Sequence, residues 1–410
     1  MKCFVRSVLD NYSLFVIIIH LAPNTAAYRV RILPGGWENP FHAGDVQIVT
    51  LKRRPFVTLL ETTINKITSA DASIRHQART RLEQLTMPHW ALGRIMDLAE
   101  DLAAMTGALH PPVTRKMVVT MAGDHGVTAQ GVSKYPQAVT AQMVHNFVQG
   151  GAGINALARL AGAQVVVVDM GVAGDLGALA AAGKIISKRI AAGTKDMAIG
   201  PAMSREEALR CVEAGIEVAL FLADSTDLFA TGDMGIGNTT PSSAIVSVFS
   251  GVPAAEVTGR GTGIEEEQFL HKIRIIEEAL RVNRPDPSDA LDVLAKVGGF
   301  EIGGIAGLIL GAASLRKPVL IDGFISTAGA LIAACLSPTA RDYMIASHRS
   351  LEQGHRIALS HLGKKPLLDL DLRLGEGTGA ALAMNLVEAA VRILTEVATF
   401  EEAAVSKASS

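Results

Sequence analysis

The chain has 410 residues, with 38 Lys and Arg against 40 Asp and Glu, a formal charge of -2. That length fits two or three domains at about 100–200 residues each, and the near-neutral balance excludes a nucleic-acid binder, which carries a clear basic excess. With 49% hydrophobic and only 19% charged residues, the composition excludes a disordered chain as well.

The N-terminal part is the least regular. Leu14–Ala22 (LFVIIIHLA), preceded by Lys2 and Arg6, imitates the apolar core of a secretory signal, with Ala26 and Ala27 as small residues beyond it. Asp10, Asn11 and His20 interrupt that pattern, and Tyr28–Phe56 has no sustained periodicity. Residues 1–56 are therefore read as an unstructured or over-long N-terminal extension. No stretch reaches the roughly 18 apolar residues of a bilayer span, so no membrane partner is expected. Cys3, Cys211 and Cys335 are widely spaced and form no C-x-x-C pair, which leaves neither a zinc ribbon nor a disulfide framework. Their reduced state points to the cytoplasm.

Apolar residues at helical spacing in Leu59–Leu85 predict two helices broken near Ser69–Ala72, and Leu92–Met105 predicts a third after Pro88. Strand-like runs follow at Met117–Ala122, Val165–Val168, Leu228–Ala230, Pro318–Ile321 and Leu367–Leu374, each leading into a helix-like stretch. Ser204 and Glu207 form a capping box before Ala208–Leu222. Short apolar strands alternating with helices predict an α/β fold, a mostly parallel sheet covered on both faces. The glycines and acids gather just after the strands, at the carboxyl edge where ligands bind open parallel sheets.

Three clusters sit at such edges: Gly232–Thr240, Gly259–Gly263 and Gly375–Gly379. None is a Walker loop and none is a dinucleotide fingerprint. Each fits either a tight strand–helix turn or a phosphate cradle, and three together with Arg260 and Lys272 nearby point to a phosphorylated small ligand. Glu376, between two glycines at the start of a helix, is either a shielded general base or a first-turn acid stabilising that helix. Asp124-His125 lacks a second ligand at metal spacing, and Asp169 and Asp322 are isolated in sequence, so no metal and no cofactor is expected. Met121, Met143 and Leu374 are candidate walls for an apolar pocket.

Several longer strings carry a resemblance. Asp124–Met143 (DHGVTAQGVSKYPQAVTAQM), Gly235–Thr240 (GIGNTT), Gly259–Gly263 (GRGTG), Gly298–Gly307 (GGFEIGGIAG) and Leu374–Met384 (LGEGTGAALAM) resemble, in order, the nicotinate-nucleotide–dimethylbenzimidazole phosphoribosyltransferases of cobalamin synthesis. The likeness covers roughly Val57–Val397. It implies a Rossmann-like sheet at residues 111–375, a smaller helical lobe from residues 57–110 and about 376–400, and a homodimer. It also implies transfer of phosphoribose from nicotinate mononucleotide to dimethylbenzimidazole, with Glu376 as the base. Substrate would be held by Asp124, Ser133, Tyr135, Pro136, Gln142, Asp233, Gly235, Gly237, Asn238, Thr239, Lys272 and Gly375. The chain departs from the family at Asp233, where Glu is usual, and at Trp90, where a small residue is usual. Trp90 leaves open the same transfer to another base. A nucleotide-binding protein without catalysis is the other alternative.

Overall fold

A computed structural model describes residues 57–261 and 263–406, together with the backbones of four short strands nearer the N-terminus. The chain divides into two units, Met1–Thr58 and Leu59–Ser410. In the first, Cys3–Phe4, Val16–His20, Ala27–Leu33 and Val49–Lys52 pair antiparallel in that order. The expectations for an extension and for a targeting run fall mostly on residues outside those described.

The second unit is built on a six-stranded parallel sheet. Its strands are β1 (Lys116–Gly123), β2 (Ala163–Gly171), β3 (Ile186–Ser187), β4 (Leu228–Met234), β5 (Val319–Ile321) and β6 (Met344–Ala346). Their order is β6-β5-β4-β1-β2-β3. Every residue of β1 is buried, as helices on both faces of a parallel sheet require. The chain runs outward from β1 through β2 to β3, then returns to β4 on the other side of β1. The strand order therefore reverses between β1 and β4, and the carboxyl ends open a crevice there.

One expected strand is not part of this sheet. In Leu367–Leu374 only Leu368–Asp369 is extended and paired, with His348–Arg349, in a separate two-stranded ladder. The strict alternation LDLDLRL offers one apolar face, too little for a strand covered on both sides, and Leu370 and Leu374 stay 57% and 61% exposed. The places the sheet needed are taken by β3 and β6, two and three residues long, too short for a periodic signal.

The helices follow local chemistry more closely. Leu59–Ile64, Ala72–Leu82 and Arg94–Thr106 match the expected N-terminal helices. The last two pack with Thr378–Glu396 near the chain's C-terminal end, and Leu85 bridges to Thr399. Thr378–Glu396 is long and apolar enough by composition to cross a membrane, but over half of its apolar window is buried within this unit.

Helix Arg205–Leu222 begins with the predicted box, Glu207 N–H donating to Ser204 Oγ at 3.2 Å and Ser204 N–H to Glu207 Oε2 at 2.8 Å. Replacing Ser204 with Ala should cost about 1 kcal/mol, read from the midpoint of a urea transition. An unchanged midpoint would mean that water satisfies the helix end equally well.

The same helix crosses Phe300–Ser314, whose residues from Phe300 to Ala313 are all buried. Glycines let the two backbones touch: a Cβ on Gly215 would lie 2.0 Å from the Gly304 carbonyl, and one on Gly307 1.9 Å from that of Val212. The Gly298–Gly307 string is therefore largely a packing feature.

Candidate active site

A cavity of about 560 Å³ opens at the carboxyl edge of the sheet, where the strand order reverses. That size suits a small organic ligand. Its floor comes from β4 and the loop that follows. Gly232 has no side chain because the Glu376 carbonyl would lie 2.3 Å from its Cβ, and Gly235 fits against the Gly123 carbonyl, 2.4 Å from where a Cβ would stand. Gly237 has φ of +88° and turns the chain into helix Thr239–Ser250, so the helix start and its dipole face the cavity.

Glu376 lies directly against β4 and also lines the cavity. It has φ of +64°, between Gly375 at +85° and Gly377 at +98°. A non-glycine residue in that region is strained by about 1–3 kcal/mol, a cost that concentrates at functional sites. The surroundings hold it there. Glu376 N–H donates to the Asp233 carbonyl at 3.2 Å, and the Glu376 carbonyl accepts from Thr120 Oγ1 at 2.9 Å. Asp322 takes the N–H groups of Gly377 and Ala380 on its two carboxylate oxygens, at 3.1 and 3.0 Å, capping the helix that Glu376 introduces. The Glu376 side chain accepts one bond, from Ile154 N–H at 3.1 Å. Burial pushes its pKa up, the Ile154 bond pulls against that, and the nearby Asp322 charge adds to the rise.

Asp233 is 5% exposed. One carboxylate oxygen accepts from Asn238 Nδ2 at 3.0 Å, and the other has no partner. Burial and the charge of Asp322 hold its pKa well above the usual carboxylate range, with Asn238 opposing and Glu301 and Glu376 reinforcing.

Lys272 lies just behind the wall. Its ammonium donates to Thr239 Oγ1 at 2.7 Å and to the Gly259 carbonyl at 3.4 Å. It is 1% exposed, and burial brings its pKa down to about 8 against the opposing charge of Glu352.

The structure brings Ser133, Tyr135, Asp233, Gly235 and Gly237 to the cavity lining, along with Asn238, Thr239, Gly375 and Glu376. Four expected residues are not in it. Asp124 is buried and accepts the Ala173 N–H at 2.8 Å. Pro136 and Gln142 are exposed, and Lys272 sits behind the lining, bonded to Thr239 and to the Gly259 carbonyl. Among the apolar candidates, Met143 and Leu374 line the cavity, while Met121 is buried in the core. Arg260 pairs with Glu266 and stacks on Phe269. Trp90 packs on the helices outside the cavity, its Nε1 donating to Asp97 at 2.8 Å and the Arg79 guanidinium 5.0 Å from its ring.

Sequence reasoning missed Gly323, Phe324, His348, Ser350, Glu352 and Arg373, which also line the cavity. Asp322-Gly323 repeated the strand–acid–glycine pattern after β5 and was legible in that sense. His348 and Glu352 follow a three-residue strand and carried no local signal. Among the described residues, no three His, Cys, Asp or Glu side chains gather to hold a metal ion.

The cavity thus gathers a buried carboxylate held at positive φ, a glycine loop and a helix start at the carboxyl edge of a parallel sheet, the arrangement of an α/β enzyme with a small-molecule site. A family model described as "Phosphoribosyltransferase" matches residues 67–405. The chain is 65% identical over 351 residues to the nicotinate-nucleotide–dimethylbenzimidazole phosphoribosyltransferase of Syntrophotalea carbinolica, covering 86% of this chain and 99% of that one. It is 55% identical over 352 residues to the enzyme of the same name from Geobacter sulfurreducens, with 86% and 99% covered. The crystal structure of CobT from Thermus thermophilus superposes with a TM-score of 0.78 at 47% identity, over 82% of this chain and 100% of that one. The chain belongs to the nicotinate-nucleotide–dimethylbenzimidazole phosphoribosyltransferase family.

Proposed function

We propose that the chain transfers the phosphoribosyl group of nicotinate mononucleotide to dimethylbenzimidazole, giving α-ribazole 5′-phosphate and nicotinate for the nucleotide loop of cobalamin. The observation that carries the assignment of roles is Glu376, a carboxylate held at positive φ inside the cavity with a raised pKa.

The chemistry asks little of the protein beyond placement. The C1′–N bond to the pyridinium breaks with its electron pair returning to the ring nitrogen, so the leaving group departs as neutral pyridine. A benzimidazole nitrogen forms the new bond to C1′ from the opposite face, inverting the anomeric centre. Glu376 takes the proton from the other benzimidazole nitrogen. Holding the two substrates in line supplies about 7–11 kcal/mol, and general-base help about 10²–10⁴-fold. Met143, Leu374 and Phe324 offer the flat base an apolar slot. The Gly235–Thr239 loop faces the nucleotide, and its helix start and Lys272 favour the phosphate.

The test is to incubate the purified chain with both substrates and follow nicotinate release and α-riboside formation by chromatography. Nucleotide binding with no product from any of several benzimidazoles or related bases would leave the non-catalytic alternative standing.

Lys272 adds a pH signature. Its ammonium is charged below about 8, so KM for nicotinate mononucleotide should rise as pH climbs through that value. Lys272→Met should raise KM several-fold at pH 7, because it removes the positive charge and the hold on Thr239 behind the lining, and flatten the profile. An unchanged KM would remove Lys272 from the phosphate site.

The working form is a homodimer in this reading. Exposed apolar side chains such as Ile199 and Phe221, 75% and 76% exposed, leave surface for a second copy. Light scattering should return twice the chain mass, and a monomer mass would overturn it. A cytoplasmic location is consistent with the free thiols of Cys211 and Cys335, and cell fractionation tests it.

A further inference from the structure

His348 lines the cavity and has no part in the chemistry above. Its ring is held from one side only. Ser347 Oγ lies 3.0 Å from Nδ1, and that hydroxyl also lies 3.2 Å from the Asp322 carbonyl, to which it donates. A hydroxyl whose proton points at a carbonyl must accept from the imidazole, so Nδ1 carries the ring proton. The Asp322 carboxylate, 3.8 Å from Nδ1, favours the same tautomer. The start of helix Thr378–Glu396 locks the ring in place, since a Cβ on Gly379 would stand 1.9 Å from Nδ1.

That tautomer leaves Nε2 as a bare acceptor. It has no partner among the described residues. It sits beside Gly323, another cavity residue, whose missing Cβ would lie 3.6 Å from it. A fixed acceptor on the cavity lining is poised for a ligand donor. On the transfer reading, the two substrates offer few donors. The nicotinate carboxylate and the phosphate are acceptors. The benzimidazole N–H is taken by Glu376. What remains is the pair of ribose hydroxyls.

We propose that His348 binds a ribose hydroxyl of the nucleotide substrate through Nε2, making it a determinant of ribose recognition. The inference rests on the transfer reading of this same cavity. It makes the Asp322-Gly323 turn serve both substrates' ends, Asp322 capping the Glu376 helix and orienting the His348 ring at once.

The test compares nicotinate mononucleotide with its 2′-deoxy and 3′-deoxy analogues on wild type, His348→Asn and His348→Gln, reading kcat and KM separately. Asn keeps a polar group near the Nδ1 position and removes the Nε2 acceptor. Gln returns an oxygen near the Nε2 position. Wild type should lose about 10-fold in kcat/KM with one analogue, mostly through KM, the scale of one hydrogen bond. His348→Asn should lose the same factor with the natural nucleotide and no longer distinguish it from that analogue, while His348→Gln keeps part of the distinction. Wild type that uses both analogues as well as the natural nucleotide overturns the proposal without recourse to any variant. Full discrimination retained by His348→Asn overturns it too, and if that variant does not fold, His348→Gln with unchanged KM for the natural nucleotide and undiminished discrimination decides against it. No nicotinate release from wild type with any nucleotide overturns the transfer reading, and the proposal with it.

Discussion

Glu376→Gln should lower kcat by about 10²–10⁴, the usual worth of a positioned general base, with the affinity for nicotinate mononucleotide nearly unchanged. The glutamine keeps the shape and can still accept the Ile154 N–H, seen at 3.1 Å in the native chain, but it cannot take a proton. The wild-type rate should fall as pH drops, because burial has raised the Glu376 pKa and the base works only when ionised. That limb belongs to the cluster, since Asp233 and Asp322 are buried beside it and titrate with it. It should shrink or vanish in the variant. A variant that retains wild-type kcat and the same acidic limb would show that another group takes the proton.

Stability should move the other way. A carboxyl whose folded pKa is raised favours the folded state while protonated, at pH below its unfolded value. That contribution is lost as pH rises through the folded value. Above that folded value the ionised Glu376 weakens the fold, and Glu376→Gln should unfold at a midpoint no lower than wild type, with the difference growing as pH rises. Sites that bind and react commonly cost stability in this manner.

Gly307→Ala should be among the most damaging single methyls in the described part of the chain. The new Cβ would stand 1.9 Å from the Val212 carbonyl oxygen, 2.8 Å from its carbon and 2.9 Å from Gly215 Cα. All three atoms are backbone of a neighbouring helix, so no side chain can swing aside. Helices Arg205–Leu222 and Phe300–Ser314 would have to separate, opening the layer that covers one face of the sheet. A loss of about 3 kcal/mol or more is expected, at the upper end of overpacking effects. Gly200→Ala is the control. Its Cβ would meet nothing within 4 Å, and its effect should stay within about 0.5 kcal/mol. Equal urea midpoints for the two variants would mean that the helix pair yields easily.

These two positions mark what was legible before the fold was known. Glu376 stood out because its signal is local: an acid between glycines, after an apolar run and before a helix. The same held for the strands at Met117, Val165, Leu228 and Pro318, and for the Ser204 cap, each governed by neighbours within a few residues. The run at Leu367 had the same appearance and behaved differently. Alternation cannot say whether a strand will find two partners, and this one found a single short ladder with His348–Arg349.

The sequence by itself determined the α/β class, the sheet edge on which the cavity opens, and the Gly235–Thr239 loop and Glu376 as residues that line it, because backbone geometry, capping and burial periodicity act over short range. Only the tertiary structure decided the rest. It put Asp124 and Lys272 behind the cavity wall rather than in it, and it gave Asp322 two tasks by bringing β5 against the start of helix Thr378–Glu396. It also turned a string of glycines into a helix crossing. Those outcomes depend on which backbone comes within a few ångströms of which, across separations such as the 58 residues between Asp322 and Ala380, and no local pattern encodes that distance.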